Sequence, residues 1–162
     1  GGKWTTYRRM GEDVVDHAAR VAGLPGRPST TAELRLHGAP PGEHVEHSAV
    51  GTPSEMLAAY GTDADRVRDL AEQDPELAVP MHPRLPYLMC EVAWAVREEM
   101  ARSVEDVLSR RTRALVLDAR AALECAPAVA RVIARELGRD EAWVKDQLAA
   151  FELRAKESVL PD

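Results

Sequence analysis

Aromatic residues are scarce in this sequence: they make up 4% of the 162 positions, with a single Phe. A core must therefore be assembled mainly from Ala, Leu and Val, a set that suits packed helices better than a pleated sheet. Only two cysteines occur, Cys90 and Cys125. They do not form a C-x-x-C pair, and both fall inside helical patterns where a free thiol acts as a small apolar group. A reducing, cytoplasmic compartment is expected. Positive charge is in short supply as well, with 21 Lys and Arg against 27 Asp and Glu and a net charge of -6. Such a field repels phosphate backbones, so nucleic acid is not an expected partner. No uncharged apolar run approaches the ~20 residues that span a bilayer, and no basic segment followed by an apolar one opens the sequence. No transmembrane segment is expected. Walker loops, G-x-G-x-x-G turns, G-x-S-x-G elbows and H-E-x-x-H helices are also missing, which removes the enzymes that such motifs announce.

Helical periodicity dominates what is present. Tyr7, Met10, Val14, Ala18 and Val21 recur at steps of three and four, one face of a helix over 5–22 that Thr5 or Thr6 caps and Gly23 ends. Residues 24–53 carry five prolines and form a long irregular excursion, in which only Ala32, Leu34 and Leu36 alternate as a short strand over 32–37 would. "TPSEMLAAYG" restarts helix, with Thr52 as cap, Pro53 at the first helical position and Glu55 completing a capping box. A short helix in "TDADRVRDLAEQ" and a proline-rich connector follow. Met89, Val92, Ala93, Val96 and Met100 then draw a clean stripe, and further helices are expected from Ser103, over 114–125, over 127–137 restarted by Pro127, and over 140–158. The expected fold is all-α, an irregular bundle of about six or seven helices with a long Pro-rich loop and one short strand near 32–37. It forms a single domain over 1–162.

Candidate chemistry is sparse. His44 and His47, flanked by Glu43 and Glu46, lack a third ligand at a recognisable spacing, so no metal site is expected. Arg97, Arg102 and the run "SRRTR" form a basic stretch, yet Asp106 stands four residues before Arg110 and Glu98 four before Arg102, spacings that pair charges along a helix. No His or Lys neighbours Cys90 or Cys125 to activate a thiol. Trp94 and Trp143 read as core. The opening residues are more suggestive. Gly1 and Gly2 let backbone approach a ligand without side-chain obstruction, the first N–H groups of the following helix point outward at the positive end of its dipole, and Lys3 adds a full charge. That combination suits an anionic or electron-rich ligand. A frayed terminus satisfies the same pattern.

The run "GGKWTTYRRMGEDVVD" resembles the segment with which FAD-dependent glycerol-3-phosphate dehydrogenases enter their C-terminal helical domain. The resemblance continues through "LRLHGAP", "HPRLPYLMCEVAWAVREEMARSVEDVLSRRTRALVLDARAA" and the closing helices, in the family's order. It implies the C-terminal portion of an enzyme that oxidises sn-glycerol 3-phosphate to dihydroxyacetone phosphate, passes hydride to FAD and sends the electrons to a membrane quinone. By the same resemblance Gly1, Gly2, Lys3, Trp4, Thr5 and Thr6 lie along the flavin N1–C2=O edge, and Lys3 also lies beside the substrate. A helix end aimed there, contributing up to ~2 kcal/mol, would raise a two-electron potential by roughly 40 mV. The implied partner is the N-terminal FAD-binding part of the same enzyme. Residues 52–158 would act as scaffold, and the full enzyme would sit peripherally at the inner face of the membrane. No catalytic residue is expected in the chain alone, which should neither retain FAD nor turn over substrate. Other readings remain open on sequence alone: an acidic helical interaction module that binds a protein through 24–53, a relative that has lost flavin binding, and a homodimer with its rim at the Arg-rich helix 102–113.

Overall fold

A computed structural model describes residues 2–39 and 57–159. Chain contacts divide it into two compact units, Gly1–Ala39 and Pro40–Asp162. Among the described residues the regular structure is helical, as the composition demands.

In the first unit a 3-10 turn, Trp4–Thr6, leads directly into helix α1, Tyr7–Val21. Gly23, at φ 66°, ends α1 as anticipated. Its N–H donates to the Arg20 carbonyl and that of Leu24 to the Ala19 carbonyl, a Schellman motif that satisfies the last carbonyls of the helix. Residues 24–39 then run without regular structure. The short strand expected over 32–37 does not form: these residues are turns and irregular backbone, and Leu34 and Leu36 are both exposed. Alternation makes a strand only where a neighbouring strand completes the ladder and something covers the apolar face. No described residue of this unit supplies either.

The second unit contains a 3-10 segment, Leu57–Asp63, then α2, Ala64–Gln73, a 3-10 turn, Pro75–Leu77, and α3, Met89–Arg97. A π-helical turn, Asp106–Arg111, precedes α4, Ala114–Leu117, α5, Ala119–Leu137, and α6, Glu141–Lys156. Residues Met89 through Val96 are all buried, the pattern of a helix enclosed on every side. Helices α2 and α5 both pack on α3, and α6 packs on α5. Val92, Val104, Leu108, Val129, Ile133 and Phe151 fill the space between them. Cys90 and Cys125 are buried and free, and burial pushes both thiols up to about 11. Both behave as inert core. Trp94 is buried too, edge-on to Tyr60 at 6.2 Å.

Two local expectations are corrected. Pro127 does not restart a helix. Helix α5 runs through it, with Pro127 on an exposed face, and the break falls at Asp118, whose carboxylate accepts the Ala121 N–H at 2.9 Å and so caps α5. Glu98 does not pair with Arg102. Helix α3 has ended at Arg97, so the i,i+4 geometry is lost; Glu98 bonds Arg66 at 3.1 Å, while Arg102 donates to the Val96 and Ala101 carbonyls at 2.9 and 2.7 Å. The capping box at Thr52, Pro53 and Glu55 lies outside the described residues. Asp106 and Arg110 do pair, at 2.7 Å. Together with Arg111 Nε, which donates to the Glu99 carbonyl at 3.1 Å, these contacts spend the basic stretch on holding the chain between α3 and α4.

Candidate functional site

Gly1 and the His44/His47 cluster lie outside the described residues. Among those described, no group of three or more His, Cys, Asp or Glu side chains is placed to hold a metal ion, and no helix is long and apolar enough to cross a membrane.

The remaining residues singled out in the opening segment come together in one turn. Thr6 organises it. Its N–H and hydroxyl both donate to the Lys3 carbonyl at 2.9 Å, and its oxygen accepts the Lys3 N–H at 3.3 Å. Thr6 is therefore less a conventional N-cap of α1 than a clasp on both backbone groups of Lys3. Trp4, 86% exposed, lies against Tyr7 with ring centroids 5.5 Å apart. Lys3 and Thr5 are also exposed. No acidic residue occupies the first turn of the 3-10 segment or of α1, and Lys3 makes no ion pair among the described residues. The positive end of the helix dipole and the ammonium therefore add without local neutralisation.

Gly2 has a different neighbour from the one its sequence suggested. A Cβ built on it would overlap the Met10 sulfur and methyl group. Gly2 thus leaves room for the flexible end of a side chain one helical turn beyond Thr6, which a Cβ would push aside.

Sequence reasoning marked the stripe of α1 but not its fate. Every residue of α1 is at least partly exposed, including Tyr7, Val14 and Val21 at 52%, 65% and 76%. Placed at 100° per residue, Met10, Val21, Val14, Tyr7, Ala18, Gly11, Ala22 and Val15 form one continuous apolar arc. Beside it, Tyr7, Gly11, Val15, Pro28, Leu34 and Leu36 line a groove of about 820 Å³. Arg8 fixes one wall, reaching Glu12 at 2.6 Å and Thr31 Oγ1 at 3.1 Å from the same nitrogen. An exposed apolar stripe of this length is the pattern of a surface that becomes covered.

Glu91 gave no sequence signal. It is 3% exposed, accepting the Leu88 N–H at 2.7 Å and the Tyr60 hydroxyl at 2.9 Å. Burial pushes its carboxyl up to about 7, against the lowering effect of these two bonds. Desolvation wins because no cation among the described residues bonds it: Arg66 is spent on the Trp94 ring, 4.8 Å from its centroid, and on Glu98. Glu91 ties the segment around Tyr60 to the start of α3, a structural task.

Comparison with known proteins adds the following. Residues 29–144 match the family described as the C-terminal domain of alpha-glycerophosphate oxidase. The chain is 33% identical over 160 residues to the mitochondrial glycerol-3-phosphate dehydrogenase of Homo sapiens, covering 91% of the chain and 22% of that protein. It is 35% identical over 161 residues to the probable mitochondrial glycerol-3-phosphate dehydrogenase of Caenorhabditis elegans, with the same coverage. With glycerol-3-phosphate dehydrogenase 2 of Mycobacterium tuberculosis it shares 33% identity over 170 residues, covering 99% of the chain and 29% of the relative. The chain thus spans less than a third of the length of these relatives. No solved structure matches it.

Proposed function

We propose a function from one premise: the chain belongs to the family of C-terminal domains of alpha-glycerophosphate oxidase. It works as the C-terminal part of an FAD-dependent glycerol-3-phosphate dehydrogenase that converts sn-glycerol 3-phosphate to dihydroxyacetone phosphate and passes electrons to a quinone. The observation that carries this reading is the uncovered stripe of α1, which begins one residue after the organised turn Gly2–Thr6. A helix that buries nothing by itself needs the missing surface of a partner, and the relatives are proteins more than three times as long as the chain. That partner is the N-terminal FAD-binding part of the same enzyme.

The residues of the turn fit a flavin by the chemistry of their donors. Lys3 offers a positive charge, the start of the helix offers backbone N–H groups, and no carboxylate stands in the first turn to compete. When bound, FAD supplies the two-electron acceptor for oxidation of the substrate alcohol. Gly1, Gly2, Lys3, Trp4, Thr5 and Thr6 would face its electron-rich edge, and Lys3 would also meet the substrate phosphate. The Thr6 clasp keeps the Lys3 backbone from rearranging as charge develops, which is the condition for electrostatic stabilisation. The second unit acts as scaffold, and the chain alone holds no catalytic residue.

Reconstitution tests the reading. The 162-residue chain is mixed with the FAD-binding part of a dehydrogenase ending before the G-G-K run, and dye reduction dependent on glycerol 3-phosphate is followed. Turnover is expected only with both parts present. Turnover by the chain alone, or none from a mixture shown to associate and hold FAD, would contradict the proposal. An interaction module working through 24–53 would instead bind an unrelated protein and leave the FAD-binding part unbound.

A further inference from the structure

We propose that Met10 is the positioning residue of the Gly2–Thr6 turn. Resting on the reading of that turn as flavin-facing, the inference adds how its shape is held. Side chains on an α-helix lean toward its N-terminus, so Met10, four residues after Thr6, runs back over the turn. Its sulfur lies 3.7 Å from Thr6 Oγ1 and occupies the space that a Cβ on Gly2 would need. The single hydroxyl hydrogen of Thr6 serves the Lys3 carbonyl at 2.9 Å, leaving the thioether as a packing partner to the same oxygen. Thr6 thus fixes the backbone of Lys3, and Met10 packs over Gly2 beside it. The adaptable, unbranched thioether suits this gap between two backbone segments.

Gly2 and Met10 therefore act as one unit, and a double-mutant cycle reads that directly. In the full-length flavoenzyme carrying this chain, Gly2→Ala expels the Met10 side chain and Met10→Ala removes it. Each is expected to weaken FAD retention by about tenfold and to lower the flavin midpoint potential, and the double variant is expected to lose about tenfold rather than a hundredfold. Met10→Leu, which keeps most of the volume, should recover most of the potential shift, while thermal unfolding of all variants stays close to that of the parent. Lys3→Gln is the control for the underlying reading. If Lys3→Gln alters potential or substrate KM but Met10→Ala does not, or if the two losses simply multiply, Met10 is not the positioning residue. If Lys3→Gln, Gly2→Ala and Met10→Ala all leave the flavin unchanged, the turn does not face it and both statements fall.

Discussion

The two units of this chain are built from similar helices and hold themselves together in opposite ways. Between Leu57 and Ala155 the stripes interlock, and every buried apolar residue among those described lies in that stretch. Between Gly2 and Ala39 none is buried, although α1 has an apolar arc as continuous as any in the bundle. Periodicity therefore reports that a face will be covered, not by what. The second unit covers its own faces, whereas the apolar arc of α1 is not buried within its own unit. On the proposed reading, fold and function separate along this line, with scaffold on one side and a docking helix with its ligand-facing turn on the other.

Substitution should expose the contrast most strongly in the core. Phe151→Ala, at a side chain 2% exposed, is expected to destabilise the isolated chain by about 3–5 kcal/mol in urea unfolding, the usual cost of emptying an aromatic core site. A loss below about 1 kcal/mol would mean that the second unit is not tightly packed.

The next effect in size depends on pH. Glu91 is raised from about 4.5 to about 7 by burial, so the folded chain binds more protons than the unfolded one between those values. Stability from this group is fully present below the unfolded value and lost as pH rises through about 7, a fall of roughly 2–3 kcal/mol. Urea midpoints measured at pH 5 and pH 8 should show that fall for the parent, and Glu91→Gln should flatten it. A parent equally stable at both values would show that Glu91 titrates normally.

The first unit should respond weakly by itself. Val14→Asp is expected to change stability of the isolated chain by no more than about 0.5 kcal/mol, as at an ordinary surface position, and to reduce binding of a hydrophobic dye. If it costs as much as Phe151→Ala, α1 has a core of its own and the contrast fails. Smallest of all, Lys3→Gln should leave the unfolding of the isolated chain unchanged, because the ammonium makes no ion pair among the described residues. A measurable loss would show that Lys3 serves the fold.

These differences also show what could be read in advance. The all-α class was legible because five apolar positions from Tyr7 to Val21, and the run from Met89 to Val96, repeat at helical spacing. Gly23 was legible as a stop because αL geometry favours glycine. Pro127 misled because a proline on an exposed face leaves only a carbonyl for solvent to satisfy, whereas Asp118 actively caps a new helix. Glu98 misled because the i,i+4 rule holds only while a helix continues. Glu91 was invisible because its partner Tyr60 lies 31 residues away. At the proposed site, charge and glycine marked the Gly2–Thr6 turn as the candidate, but the packing of Met10 over Gly2 depends on the 3-10 geometry between them, which no residue type announces.

Hydrogen exchange at the α1 amides, measured in the isolated chain and in the full-length flavoenzyme, tests the docking of this helix most directly. Protection of Tyr7–Val21 should be weak in the chain alone and rise at least a hundredfold in the full enzyme, while α3 and α5 stay strongly protected in both. Equal protection of α1 in the two would mean that nothing covers its apolar face, and the assignment of this helix to a flavoenzyme interface would be wrong.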